Sequence, residues 1–243
     1  MRDDETLIWL PGLVCDDAVW ADVRAHWSEP GQMVSYPDTR SIDAMAQRVV
    51  AAAAGRRVWL VGHSMGGRVA IEAARRLGPA LRGLVLASTG HQPLADGEAG
   101  EREREGRARL VALARNEGMR AMGRQWVQGM VRPENLGTPI EDAIVEMIAR
   151  HTADTFEGHV QALLGRPDAT ATLAALTAPV LLLCGAQDSW SPPERHQVIS
   201  RIVQRGQLQI IEGAGHMLPM EQPQIMARAI QARVQRTVES EAR

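Results

Sequence analysis

The sequence feature that most constrains the fold is a sharp turn between an apolar run and a helical pattern. Residues 58–61 are all apolar, and residues 68–77 carry apolar side chains at helical spacing. Between them, Gly62, Ser64 and Gly66 have Gly-x-Ser-x-Gly spacing. A serine at the tip of such a strand–turn–helix unit projects its hydroxyl from the end of a sheet, beside the N-terminus of the next helix. We therefore favour an exposed, reactive serine over the alternative, an incidental serine in an ordinary turn.

Short apolar runs recur along the chain and alternate with helical patterns. Such runs predict strands that are buried on both faces, as in a parallel sheet, and the alternation predicts repeated βα units. We therefore expect an α/β fold with a mostly parallel twisted sheet and helices on both faces. The predicted strands are residues 6–10, 32–35, 58–61, 84–87, 179–184 and 207–211. The predicted core helices are residues 16–27, 41–54, 65–77, 192–203 and 222–238.

The alternation stops at about residue 93 and resumes at about residue 178. Between these points no strand pattern is apparent, and the apolar period stays helical. We predict that residues 93–177 are an inserted helical lid on a core built from residues 1–92 and 178–243. The first lid helix is highly charged, but both signs alternate, which favours a solvated helix face over a binding patch. The predicted lid helices are residues 98–116, 118–131, 139–151 and 155–164.

Composition excludes several classes of function. The 243 residues suit one α/β domain, and a formal net charge of −2 does not suit a nucleic-acid-binding surface. All 27 basic residues are arginines, which excludes a Schiff-base lysine and a Walker-type phosphate lysine. The two cysteines, Cys15 and Cys184, fit neither a disulfide framework nor zinc-ligand spacing. With no signal-peptide pattern and no apolar run of membrane-spanning length, we expect a cytoplasmic enzyme that takes a small-molecule substrate and no cofactor or metal.

An exposed serine becomes a nucleophile when a base accepts its proton and a third group orients that base. Two residues late in the chain suit these roles. Asp188 lies in the turn after the apolar run 179–184, and His216 lies in a Gly-Ala-Gly-His loop after the last predicted strand. The chain order is therefore serine, aspartate, histidine. His91 follows the fourth predicted strand, but no acidic residue stands at the end of that strand, which favours Asp188 as the acid.

Three motifs occur in this order, each after a predicted strand. They are Gly-His-Ser-Met-Gly-Gly at 62–67, Gly-Ala-Gln-Asp-Ser-Trp-Ser-Pro-Pro at 185–193, and Gly-Ala-Gly-His-Met-Leu-Pro-Met-Glu-Gln-Pro at 213–223. With them the chain resembles the α/β-hydrolases, specifically the minimal type with a helical lid, over nearly its whole length. The resemblance implies that Ser64 is the nucleophile, that His216 is the general base and acid, and that Asp188 orients His216.

Stabilising the oxyanion of an acyl-transfer reaction requires two N–H donors. The family pattern implies the backbone of Met65, the residue after the nucleophile, and a second donor from the loop after the first strand. Many family members have His-Gly-x in that loop, whereas this chain has Pro11-Gly12-Leu13, so the predicted second donor is Leu13 N–H. The missing histidine leaves the backbone donor in place but weakens assignment to a subfamily defined by that histidine.

Other candidate residues have structural explanations that compete with functional ones. His63 is interpreted as a packing or hydrogen-bonding residue, because adjacent side chains point apart at a sharp turn. The remaining histidines, at positions 26, 151, 159 and 196, are expected at the surface or in the lid. Four residues are candidates for an apolar acyl pocket, although core packing explains them equally well: Trp126, Met130, Trp190 and Met217.

The leading hypothesis is a serine carboxylesterase for a small to medium apolar substrate, working through an acyl-enzyme on Ser64. A serine at the tip of the turn argues against haloalkane dehalogenases and epoxide hydrolases, which need a carboxylate nucleophile. The same triad also suits thioesters, lactones, amides and carbon–carbon cleavage, and the fold does not choose among them. A ligand receptor that keeps the fold without turnover is a further alternative.

Overall fold

The computed structural model describes residues 5–27 and 31–241. Its centre is a six-stranded sheet of order β2-β1-β3-β4-β5-β6, in which every neighbouring pair is parallel. The predicted α/β class is therefore confirmed. The strands are β1 Glu5–Leu10, β2 Gly31–Met33, β3 Arg57–His63, β4 Leu81–Ala87, β5 Val180–Gly185 and β6 Gly206–Ile211.

The helices surround this sheet and also fill the predicted insertion between β4 and β5. The helices before β4 are α1 Ala21–Ala25, α2 Ile42–Ala53 and α3 Met65–Leu77. Those between β4 and β5 are α4 Gly97–Glu117, α5 Met119–Trp126, α6 Pro139–Ala149, α7 Ala153–Leu164 and α8 Thr170–Ala175. The last are α9 Pro193–Ile202, α10 Leu218–Glu221 and α11 Pro223–Glu241. No helix in the described ranges has the length and apolar character needed to cross a membrane.

Burial along the strands follows their place in the sheet. All residues of β1 and β5 are buried, and β3 and β4 each have one partly buried residue, because both faces of these strands are covered. The edge strands β2 and β6 are largely half-buried or exposed. The long apolar runs of the sequence therefore mark the interior strands, and the weaker patterns mark the edges.

Several predicted boundaries differ from the structure. The predicted helix at residues 16–27 is a 3-10 turn, Asp17–Trp20, followed by α1, and the Asp16 side chain caps it by accepting from Ala18 N at 2.9 Å. The predicted helix at residues 118–131 ends at Trp126, where a 3-10 turn follows. The short helix α8 was not predicted, because six residues carry too little periodic signal.

The strand order places several loops at the carboxyl edge of the sheet. The loops after β1, β3, β5 and β6 all leave this edge, as the carboxyl ends of parallel strands must. The helical segment between β4 and β5 contributes residues to the same edge, where Met130 and Trp126 share a cavity with Ser64. The division into a core and a lid at residues 92/93 and 177/178 stays a prediction.

Candidate active site

The turn between β3 and α3 holds Ser64 in an unusual backbone conformation. Ser64 has φ 54° and ψ −117°, a region that L-residues rarely adopt and that costs about 1–3 kcal/mol. The turn is tight enough that a Cβ on Gly62 would lie 2.4 Å from Gly66 O. Hydrogen bonds compensate for the strain, because Ser64 N donates to Ala87 O at 2.9 Å and the Thr89 hydroxyl donates to Ser64 O at 2.6 Å. The strained serine is thereby fixed at the carboxyl edge of the sheet.

Three side chains predicted from the sequence form one continuous hydrogen-bonded chain. Ser64 Oγ lies 2.9 Å from His216 Nε2. On the other side of the ring, His216 Nδ1 lies 3.1 and 3.0 Å from the two carboxylate oxygens of Asp188. Asp188 and His216 are buried, while Ser64 is partly accessible. In this arrangement an ionised carboxylate fixes the Nδ1–H tautomer and leaves Nε2 free to accept the serine proton.

Asp188 is held in its ionised form. Burial by itself would raise the pKa of this carboxyl, but the charge interaction and hydrogen bond with His216 outweigh burial and lower the pKa well below its usual range. The backbone amide of Ser191 adds to this effect by donating to Asp188 Oδ1 at 2.8 Å, and the amide of Trp190 donates to the same oxygen at 3.0 Å. The loop after β5 therefore provides a pre-oriented anion for the histidine.

The loop that carries His216 packs directly on the helical segment. The backbone N–H groups of His216 and Met217 both donate to Met130 O, at 2.7 and 3.2 Å. Glu221, which is buried, accepts from Gly215 N at 2.8 Å and from Arg132 N at 2.9 Å. Residues 130–132 are therefore part of the support of His216.

The predicted oxyanion donors lie on the two loops nearest the serine. Met65 is the first residue of α3, so its N–H is at the electropositive end of that helix. A Cβ on Gly12 would lie 3.3 Å from Ser64 Cβ, which shows how closely the loop after β1 approaches Ser64. Among residues 5–27 and 31–241, no acceptor is found for Leu13 N–H. The assignment of Leu13 and Met65 as oxyanion donors stays a prediction.

A family model described as the alpha/beta hydrolase family matches residues 7–229. The chain belongs to the alpha/beta hydrolase family.

Individual relatives of this hydrolase differ in their named activities. A 2-succinyl-6-hydroxy-2,4-cyclohexadiene-1-carboxylate synthase of Klebsiella pneumoniae is 26% identical over 231 residues, which are 89% of this chain and 88% of that protein. A thermophilic esterase from Thermogutta terrifontis, solved with malate bound, has a TM-score of 0.84 at 26% identity, over 96% of this chain and 90% of that chain. An enol-lactonase from Burkholderia xenovorans LB400 has a TM-score of 0.83 at 14% identity, over 96% and 92%, which shows the fold alone.

A cavity of about 590 Å³ opens at Ser64 of the hydrolase. All four residues predicted for the pocket, namely Trp126, Met130, Trp190 and Met217, line it. The rings of Trp126 and Trp190 stack with centroids 5.4 Å apart, and the Trp190 ring lies 5.0 Å from the ring of His216. These four residues, which we call the apolar wall of the cavity, therefore reach His216 through the Trp190 ring. Their role in substrate binding stays a prediction.

The cavity is also lined by charged side chains, although the sequence pattern favours a solvated face for the charged helix α4. Arg68, Arg107, Arg166 and Glu103 line it, and we call these four residues the arginine cluster. Arg166 forms a bidentate ion pair with Glu103, with both N–O distances at 2.8 Å, and the Arg166 side chain is only 9% exposed. Arg107 also pairs with Glu103 at 2.9 Å. The charged residues of α4 were expected to form a solvated face. This expectation is wrong for Glu103 and Arg107, which line the cavity.

The arginine cluster carries more positive than negative charge. Arg68 NH1 donates to Gln92 O at 2.8 Å, and in the described ranges no carboxylate lies within ion-pair distance of the Arg68 guanidinium. Burial, followed by repulsion from Arg166 and Arg195, lowers the pKa of Arg68 to about 9. The sequence offers one signal for this arginine near the site, because Arg68 stands one helical turn after Ser64 in α3. The cavity therefore combines an apolar wall with an electropositive wall.

Other titratable groups near the site have structural partners. His63 Nε2 donates to His216 O at 2.8 Å, in line with the predicted hydrogen-bonding role, and burial lowers its pKa to about 3. His196, expected at the surface or in the lid, is instead fully buried in the core, where its Nε2 accepts from Thr89 N at 3.1 Å. Burial raises the pKa of the Cys15 thiol to about 12, so this thiol stays protonated.

Within residues 5–27 and 31–241, no group of His, Cys, Asp or Glu is arranged to hold a metal.

Proposed function

We propose that this hydrolase cleaves a carboxylic ester through an acyl-enzyme on Ser64. The observation that carries the proposal is the hydrogen-bonded chain from Ser64 Oγ through the His216 ring to Asp188, at 2.9 Å and 3.0–3.1 Å. This is the geometry in which a histidine accepts a serine proton while a buried carboxylate stabilises the resulting imidazolium. The strained backbone of Ser64 supports the same role, since strain of this kind is common at reactive serines.

The proposed reaction has two half-reactions. Ser64 Oγ attacks the ester carbonyl as its proton passes to His216 Nε2, and the N–H groups of Leu13 and Met65 bind the oxyanion. His216 then gives that proton to the departing alcohol, leaving an acyl-enzyme. In the second half, water transfers a proton to His216 and attacks the acyl carbon. Collapse of this intermediate releases the acid and returns the proton to Ser64.

We further propose that the preferred substrate carries a negatively charged group, a carboxylate in the simplest case. Arg68 lines the same cavity as Ser64 and has no ion-pair partner in the described ranges. A guanidinium in such a setting favours a bidentate interaction with a carboxylate. Two comparisons support this chemistry. The esterase structure contains malate, a dicarboxylate, and the product in the name of the synthase carries a carboxylate. The acyl or alcohol part of the ester would then lie against Trp126 and Trp190.

A second candidate function is a synthase reaction like that named for the Klebsiella relative. It is favoured by the combination of 26% identity over 89% of this chain with an electropositive cavity wall. In that case the Ser64–His216 pair would act as a base toward a carboxylate-bearing substrate rather than as a nucleophile toward an ester. Thioester and carbon–carbon cleavage use the same triad and are further alternatives.

The test compares two esters with acyl chains of equal length, the anionic 4-nitrophenyl hydrogen adipate and the neutral 4-nitrophenyl hexanoate. We expect wild type to hydrolyse both and to prefer the adipate, Ser64→Ala to hydrolyse neither, and Arg68→Met to lose the preference. The matched control is Arg104→Met, because Arg104 is an exposed arginine of α4. Full activity of Ser64→Ala would refute the nucleophile assignment.

Absence of ester turnover would move the assignment to the second candidate. That reaction is then followed by the diene absorbance of the cyclohexadiene product, again with Ser64→Ala as the control. Labelling of Ser64 by a fluorophosphonate distinguishes a working nucleophile from a ligand receptor that lacks one.

A further inference from the structure

The helical segment contacts the loop that carries the predicted oxyanion donor through one histidine. His159, on α7, is only 3% exposed. Its Nδ1 accepts from Val14 N at 3.3 Å, and its Nε2 lies 2.9 Å from Tyr36 O. A backbone N–H can only donate and a carbonyl can only accept, so the ring is neutral with its proton on Nε2. Both ring nitrogens of His159 are therefore used, and they join loops that follow two different strands.

The residue that His159 contacts is itself in a strained conformation. Val14 has φ 45°, which is an outlier for a β-branched residue, and it is fully buried. Such a conformation persists only where neighbouring groups impose it. Without an acceptor at His159 Nδ1, the N–H of Val14 would be buried and unpaired, which is costly enough to move the loop. Leu13, the predicted oxyanion donor, immediately precedes Val14, so any movement of Val14 also moves the Leu13 peptide.

The position of His159 is itself fixed by other contacts of α7. A Cβ on Gly158 would lie only 3.1 Å from Thr39 O, which shows close packing of α7 on the loop after β2. Thr155 Oγ1 donates to Pro37 O at 3.3 Å, on the same loop. These contacts between α7 and the loop after β2 hold the imidazole of His159 against Val14, as a positioning group requires.

We infer that His159 is a positioning residue for the oxyanion-binding loop, holding the Leu13 N–H in place through its hydrogen bond with Val14. This inference rests on the proposed function, because it assigns His159 to the support of that oxyanion site. His159 itself does not line the cavity and is not a catalytic residue. The helical segment would then take part in catalysis by completing the site as well as by covering it.

The experiment compares His159→Leu, which has no polar atom to offer, with His159→Gln, whose amide offers one acceptor and one donor. The matched control is Gln161→Leu, which removes another contact of α7 with the loop after β2, namely that of Gln161 Oε1 with Arg40 at 3.2 Å. In His159→Leu we expect kcat to fall by about tenfold to a hundredfold, with KM within about twofold, because the loss is confined to the transition state. His159→Gln is expected to recover most of kcat, and Gln161→Leu to resemble wild type.

Two further measurements separate positioning from a general loss of structure. A trifluoromethyl ketone analogue of the ester, whose adduct places an oxyanion in the site, is expected to bind His159→Leu more weakly by the same factor as kcat/KM falls. Hydrogen exchange of the peptide covering residues 11–15 is expected to be faster in His159→Leu than in wild type and Gln161→Leu. If leucine prevents folding, His159→Phe, whose ring is similar in shape but offers Val14 N–H no acceptor atom, carries the same comparison.

Three outcomes would overturn the inference. They are a kcat of His159→Leu within about twofold of wild type, a rise in KM alone, and unchanged exchange of residues 11–15. If wild type hydrolyses no ester, the proposed function fails, and the exchange experiment still decides whether His159 holds the loop. Faster exchange in His159→Leu would then support the positioning role independently of ester turnover.

Discussion

The backbone N–H of His216 donates to the carbonyl oxygen of Met130 at 2.7 Å, which joins the histidine of the candidate triad to the helical segment. The N–H of Met217 donates to the same oxygen at 3.2 Å, and Glu221 accepts from backbone N–H groups on both sides of the junction. The helical segment at this point is therefore structural support for the proposed base. A lid that opened as one rigid unit would have to break these hydrogen bonds.

This junction predicts that Gly215→Ala impairs catalysis. A Cβ on Gly215 would lie 2.8 Å from Arg132 N and 2.9 Å from Val131 C, both backbone atoms that cannot move aside independently. The loop must shift, and because a displacement of ~1 Å costs about a hundredfold in rate, we expect a loss of kcat of that order together with a lower melting temperature. Gly165→Ala at the end of α7 is the control, because Gly165 has φ −93°, lies outside the cavity lining, and its Cβ would meet only Gln161 O at 3.5 Å. Equal kcat values for the two variants would contradict the prediction.

The ion pairs of Glu103 predict a pH-dependent contribution to stability. Burial alone would raise the pKa of Glu103, but the hydrogen bonds and charges of Arg166 and Arg107 dominate and lower the pKa to about 2 from the ordinary 4.5. Because the folded-state pKa is depressed, the stabilisation is fully present above pH 4.5 and is lost as the pH falls toward about 2. The difference in unfolding free energy between wild type and Glu103→Gln should therefore shrink over this window.

Urea unfolding of both proteins at several pH values between about 2 and 7 measures this difference. The control is Glu98→Gln, because Glu98 forms an exposed pair with Arg102 and has a side chain that is 91% exposed. If the difference in unfolding free energy between wild type and Glu103→Gln stays constant with pH, ionised Glu103 has no stabilising role.

The stacked indoles predict a dependence on acyl-chain length. Trp126 stacks on Trp190 and also packs against Phe156, with ring centroids 5.8 Å apart. Removing the Trp126 ring in Trp126→Ala deletes part of the apolar wall, so KM for hexanoate esters should rise by about three- to tenfold. The KM for acetate esters should rise less, because the acetyl group is too short to reach Trp126, and these esters serve as the internal control. An equal rise in KM for the two esters would show that Trp126 does not contact the acyl chain.

The buried cysteines predict resistance to alkylation. Burial and the neighbouring charge of Asp16 raise the pKa of Cys15 to about 12, and burial likewise raises the pKa of Cys184. Because the thiolate is the reactive form, neither residue should be alkylated by iodoacetamide at about pH 8 in the folded protein. Mass spectrometry before and after unfolding in guanidinium measures the difference. Rapid modification of folded protein at Cys15 would show that the loop after β1 opens readily.

The sequence was sufficient to predict those features of the fold and the candidate site whose signal is local in the chain. Apolar runs predicted the interior strands, because burial on both faces requires consecutive apolar residues. The glycine spacing around Ser64 predicted the tight turn between β3 and α3, because only small residues allow its close backbone approach. A Cβ on Gly62 would lie 2.4 Å from Gly66 O. The order of Asp188 and His216 after their strands predicted their meeting at one edge of the sheet.

Tertiary structure alone decided which distant residues complete the site. Arg68 and Arg166 are separated by nearly a hundred positions, yet both donate to the carbonyl of Gln92, at 2.8 and 3.3 Å. His159 contacts Val14 across an even longer stretch of chain, and its burial could not be inferred from a helical pattern. Local patterns report which face of a helix is apolar, but the partner of each polar side chain depends on how the helical segment packs across the carboxyl edge of the sheet. The sequence by itself therefore predicted the interior strands and the candidate residues Ser64, Asp188 and His216, because burial and chain order are local signals. The packing of the helical segment, which is not local, determined the charge of the cavity and the support of its loops.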